Sequence, residues 1–121
     1  MFKPEELRFR TKKFAIEAIR LIRHYPRDME GSIIGRQLLR SATSVAANYR
    51  AVCRARSKKE FIAKIGLVVE EIDESVFWLE LTREVDLIQA AKLENITREA
   101  NQLLAIFAAS QRTAKQNNKM Y

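Results

Sequence analysis

Arg36, Arg40, Arg50 and Arg54 are the residues of this sequence whose type and spacing best suit chemistry with a partner. At about 100° per residue they fall within roughly 80° of one helical face. Lys58 and Lys59 carry the positive charge on just beyond it. Guanidinium forks match phosphate oxygens two bonds at a time. A row of them can track a nucleic-acid backbone, with an affinity that falls as salt rises and depends little on base sequence. The aromatic interleaving of single-strand stacking platforms is missing, because Tyr49 points with the apolar residues and not with the arginines. The same row can equally be a solvated helix face, or pair with carboxylates.

A second decorated surface supplies those carboxylates. Leu67, Glu70, Glu71, Glu74, Trp78 and Leu81 share one side of a long helical segment whose opposite side is also apolar. A helix in an isolated bundle needs one apolar stripe, so the extra one is expected to be a subunit interface. Its glutamates can pair with the arginines of the preceding helix, within a protomer or across that interface. They are not expected to hold a metal. Helical di-iron sites use Glu-x-x-His pairs, and the single histidine, His24, has no acidic partner at that spacing. Glycine-rich phosphate loops, Cys/His ligand spacing and nucleophile elbows are all lacking, so neither an enzyme nor a cofactor is expected. Cys53 lies on an apolar arc and reads as a packing residue.

Four helices must position these groups. The first spans about 11–24, with Phe14, Ala18, Leu21, Ile22 and Tyr25 at helical spacing and Pro26 ending it. The second spans about 32–56, capped by Ser32, with Ile34, Leu38, Ala42, Val45, Tyr49, Val52 and Cys53 on one face. The third spans about 57–84 and opens on a capping box, in which Ser57 receives the Glu60 amide and the Glu60 side chain reaches back. The fourth spans about 89–115, and residues 116–121 read as a frayed tail. Short connections between amphipathic helices give an all-α, antiparallel up-and-down four-helix bundle.

Composition agrees with that reading. At 121 residues the chain is expected to be a single domain, 1–121, and 47% hydrophobic content argues against disorder. The one cysteine cannot form an internal disulfide, and no secretory leader or membrane-spanning run is visible, so a cytoplasmic location is expected. The net charge of +7 is uneven, with 16 Lys/Arg against 6 Asp/Glu in residues 1–64 and 6 against 9 in the rest. Such asymmetry suits a polyanion partner, or association of opposite faces of like chains.

Several stretches also carry a family resemblance. They are Gly35-Arg36-Gln37-Leu38-Leu39-Arg40-Ser41, Ser44-Val45-Ala46-Ala47-Asn48-Tyr49-Arg50, Arg56-Ser57-Lys58-Lys59-Glu60-Phe61, and Glu70–Glu74 leading to Trp78-Leu79. From about Phe14 to Phe107 the chain resembles the bacterial four-helix-bundle family first described from open reading frames in 23S rRNA intervening sequences. Many members read Asn-Ile-Ala-Glu-Gly where this chain has Asn48-Tyr49-Arg50-Ala51-Val52. The turn-prone glycine is absent, so the second helix is expected to run further here. The resemblance implies a ring-shaped oligomer, with a homopentamer expected. Similar proteins include the accessory proteins of diversity-generating retroelements, which bind nucleic acid and a reverse transcriptase. The expected function is therefore a non-enzymatic, homo-oligomeric nucleic-acid-binding protein, RNA favoured, using Arg36, Arg40, Arg50, Arg54, Lys58 and Lys59. The alternative is an interaction module or assembly scaffold in which those arginines pair with third-helix carboxylates.

Overall fold

Pro4 opens the first helix. This computed structural model describes residues 2–119, and in it α1 runs Pro4–Ile22, seven residues ahead of the expected start at Thr11. The reason is local. Proline lacks an N–H that a first turn would leave unpaired, and Glu5 and Glu6 sit where the helix dipole favours negative charge. Leu7 and Thr11 are buried, and the Thr11 hydroxyl donates back to the Leu7 carbonyl at 2.8 Å, so the early turns are held by the core.

The second helix, α2, spans Met29–Val52 and departs from expectation at both ends. Asp28, not Ser32, is the N-cap, with its carboxylate accepting from the Gly31 N–H at 2.8 Å. Gly31 permits the tight entry, because a Cβ there would collide with the Pro26 carbonyl oxygen. At the far end the missing glycine does not prolong the helix to Arg56. The Arg54 and Ala55 N–H groups bond to the carbonyls three residues back, at Ala51 and Val52, and the chain then turns into the next cap. Arg54 therefore stands just past the helix end.

Ser57 starts α3 (Lys58–Glu84), its hydroxyl accepting from the Glu60 N–H at 3.0 Å. The Glu60 carboxylate goes to Lys64 at 2.8 Å. The α3 C-terminus closes with Asp86 at φ 55°, the Asp86 N–H on the Arg83 carbonyl and the Leu87 N–H on that of Thr82. This is the Schellman arrangement with aspartate in the left-handed position. Finally α4 runs Ala90–Lys119. It takes in residues 116–119 of the expected frayed tail, and Ala114 just before them is buried. Met120 and Tyr121 lie outside the described residues.

The four helices form a square antiparallel bundle, and among the described residues there is no strand. Each helix packs on its two neighbours in the ring order α1, α2, α3, α4, while α1 and α3 lie diagonally across the core from each other, as do α2 and α4. Phe14, Leu38, Ile65, Ile72, Leu103 and Phe107 fill the centre, and the Tyr49 ring leans on Phe107 with centroids 5.2 Å apart. Two buried hydroxyl contacts fix how α3 sits: Ser75 donates to Ser41 of α2 at 2.9 Å, and Tyr25 meets Thr82 at 2.6 Å. The α1–α4 seam is the sparsest. There Arg10 bridges to Glu99 through a fork of 2.6 and 2.9 Å, with its guanidinium 5.2 Å from the Phe2 ring centre.

Candidate nucleic-acid interface

The bundle divides the arginine row into three different situations. Arg36 is exposed near the start of α2, beside the α1–α2 connection. Arg40 is turned onto α3, where its guanidinium meets Glu71 at 3.3 Å and also Glu74. Arg50 and Arg54 lie about 21 Å beyond Arg36, at roughly 1.5 Å per helical residue. They are exposed and form no ion pair among the described residues.

At that far end the chain builds a cleft of about 580 Å³ between the close of α2 and the opening of α3. Arg50, Arg54, Arg56 and Lys64 line it, together with Glu60 and the small residues Ala47 and Ala51. The geometry follows from local signals already described. Because α2 stops at Val52, Arg54 and Arg56 sit on the connection and can turn toward the same space as Arg50. Because Ser57 caps α3, the first turn places Glu60 and Lys64 one above the other on the cleft wall. Alanines at 47 and 51 leave the space open.

The electrostatics are one-sided. Glu60 is the single carboxylate lining the cleft, and the Lys64 hydrogen bond holds it below the ordinary carboxylate range. It therefore stays ionised and already has its cation. Three guanidiniums remain with no carboxylate partner, in a polar and open hollow, and arginine keeps its charge across the physiological range. Lys59 is exposed at the rim of the same joint, and Lys58 lines an apolar hollow of about 520 Å³ at the same end of the bundle. That hollow, walled by Phe2, Leu7, Phe61, Ile106 and Ala114, has few polar groups with which to orient a ligand. The cleft is the better candidate site.

Arg56 and Lys64 stand outside the expected set of binding residues, Arg56 because the second helix was expected to include it, and Lys64 because it joins the group through the α3 cap at Ser57. The usable signal was the i, i+4 pair Glu60/Lys64 immediately after a cap.

The expected α3 surface is split in a similar way. Leu67 and Glu70 face solvent, Glu71 and Glu74 are partly covered beside Arg40, and Trp78 and Leu81 pack against the core edge. Phe77, absent from the expected set, is exposed and meets the Trp78 ring edge-on at 4.8 Å. Cys53 is half-buried against the core beside Tyr49, whose phenol is pushed well above its usual range by burial and by that thiol. His24 is exposed at the end of α1. Among the described residues no three His, Cys, Asp or Glu side chains gather as metal ligands, and no helix is long and apolar enough to cross a membrane.

With the fold and cleft in place, comparison with known proteins gives one decisive match. The family model described as 23S rRNA-intervening sequence protein covers residues 6–109. The chain belongs to that family. A solved structure with the same fold is a protein of unknown function from the S23 ribosomal protein family of Bacteroides thetaiotaomicron. It is 25% identical, with a TM-score of 0.80 over 87% of this chain and 97% of that one. No curated protein matches. Membership in the 23S rRNA-intervening sequence protein family thus accounts for the four-helix frame.

Proposed function

We propose that this member of the 23S rRNA-intervening sequence protein family is a non-enzymatic, homo-oligomeric nucleic-acid-binding protein that favours RNA. It grips backbone phosphates in the cleft at the α2–α3 joint. The observation that carries this reading is that cleft: Arg50, Arg54, Arg56 and Lys64 face one hollow, against a single carboxylate that Lys64 already neutralises. Arg36, at the other end of α2, can extend the track along the same exposed face. Arg40 is left out, because Glu71 and Glu74 occupy it. RNA is favoured through the family's description. In an oligomer the clefts repeat, so that individually weak phosphate contacts combine by avidity.

The test is fluorescence anisotropy with a labelled structured RNA and a duplex DNA of equal length, over a salt series. Engagement of two or three phosphates per cleft predicts a log–log salt slope of about −2 to −3 for one copy. Arg50→Glu with Arg54→Glu should cost at least about 100-fold in affinity at low salt, roughly tenfold per lost contact. Binding that ignores both salt and this double substitution would sink the reading.

A second reading has its own support. The exposed acidic and apolar side of α3 is suited to an assembly scaffold, with nucleic acid playing no part. It predicts self-association without any salt-sensitive RNA binding.

A further inference from the structure

We infer that the solvent face of α1 is the docking surface for the solvent face of α3 of a second copy of this chain. This deepens the oligomeric part of the proposed function, and it rests on that part alone, not on nucleic-acid binding.

The two faces are complementary in charge. Along α1 and its C-cap, Phe9, Lys12, Ile16, Arg20 and Arg23 are all exposed, and at about 100° per residue they fall within roughly 80° of one another, with Glu5 as the one exposed acid in that arc. Along α3, Leu67, Glu70, Asp73, Phe77, Glu80 and Glu84 are likewise exposed, within roughly 140°, with Lys59 as the one exposed cation in that arc, at its start. Three cations with one acid on α1 thus stand against four acids with one cation on α3. The cations span 11 residues and the acids 14, about 17 and 21 Å, so the two can lie side by side.

The apolar members are large and bare. Phe9 is 69% exposed, Phe77 52% and Leu67 48%. None of the charged members forms an ion pair among the described residues. Solvated faces of a bundle do not need aromatic rings this bare, whereas interface centres favour them, ringed by charges that set register.

The position of the two helices decides what kind of contact this makes. Since α1 and α3 sit at opposite corners of the square, their outer faces point in opposite directions. One copy therefore cannot satisfy its own pair of faces. In an up-and-down bundle, α1 and α3 also run the same way, so a neighbour placed beside the first by rotation about an axis along the bundle brings α3 parallel to α1. The contact is head-to-tail: each copy offers α1 on one side and α3 on the other.

The experiment uses the full-length protein in multi-angle light scattering and sedimentation at low salt, without nucleic acid. Wild type should run at a multiple of the 14.0 kDa chain. Lys12→Glu with Arg20→Glu, and separately Glu70→Lys with Glu80→Lys, should each drop it to monomer with an unchanged helical circular-dichroism spectrum. The quadruple variant, with charges exchanged across the contact, should return to the wild-type mass. If wild type is a monomer, both this inference and the oligomeric part of the function fail. If wild type is a multimer that neither double variant dissociates, or that the quadruple variant does not restore, the assignment of these faces fails while oligomerisation stands.

Discussion

Arg40 and Arg54 have the same side chain, and the fold gives them opposite surroundings. The Arg40 guanidinium is held by Glu71 and Glu74, so a phosphate could reach it only by displacing two carboxylates. Arg54 stands on a connection with no carboxylate partner and opens onto the cleft. Arg40→Ala should therefore leave RNA affinity within about twofold of wild type. Because the Arg40 side chain is 48% exposed, it should lower stability by no more than about 1 kcal/mol. Arg54→Ala should do the reverse, with stability within about 0.5 kcal/mol of wild type. It should weaken RNA about tenfold for the loss of one charged contact. Urea denaturation and anisotropy on the same samples separate the two. An RNA defect in Arg40→Ala equal to that of Arg54→Ala would put the phosphates along the middle of α2 instead. Sequence periodicity could place all four arginines on one face. It could not distinguish them, because the Arg40 pairing depends on how α3 is seated against α2, where the buried Ser75 hydroxyl donates to Ser41.

At the scale of elements, the end of α3 offers a measurable weakness. Asp86 occupies a left-handed position at φ 55°, where the Cβ of an L-residue crowds the following carbonyl at a cost of roughly 1–2 kcal/mol. Asp86→Gly removes that crowding, while the greater freedom of glycine in the unfolded chain offsets part of the gain. A net stabilisation of about 0.5–1 kcal/mol is expected, visible as a midpoint several degrees higher in thermal denaturation. An unchanged or lower midpoint would show that the Asp86 side chain supports the turn. The apolar spacing that identified the helices was legible because it recurs over many turns. Phe14, Leu38, Ala42 and Val45 all fall in the core as their spacing required. The ends were harder, because each is decided by one or two residues. Pro4, with Glu5 and Glu6, starts α1 seven residues ahead of the expected Thr11, and Asp28 took the cap that Ser32 also suits. The α2 terminus shows the same limit. Losing one turn-prone glycine did not extend the helix, since Ser57 starts the next helix and the chain must turn before it.

At the scale of the whole molecule, the joint cleft and the α1 and α3 faces are separate surfaces, and that separation makes their cooperation testable. A single cleft can hold only a few phosphates, so one copy should bind a short oligonucleotide and a long one with similar affinity per site. Copies linked head-to-tail present several clefts to one strand, and a strand long enough to span them should gain about 10²- to 10⁴-fold. Glu70→Lys with Glu80→Lys leaves every cleft residue in place and raises the net charge of each chain from +7 to +11. If affinity followed charge alone, this variant would bind all RNA more tightly than wild type. If the acidic face joins the copies, it should keep its affinity for an oligonucleotide of about six residues and lose the advantage of a forty-residue strand by at least about tenfold. Anisotropy with the two strand lengths, at one ionic strength and at protein concentrations where wild type is multimeric, decides between them. Tighter binding of the long strand by the more cationic variant would mean that charge, and not assembly, governs the proposed grip on RNA.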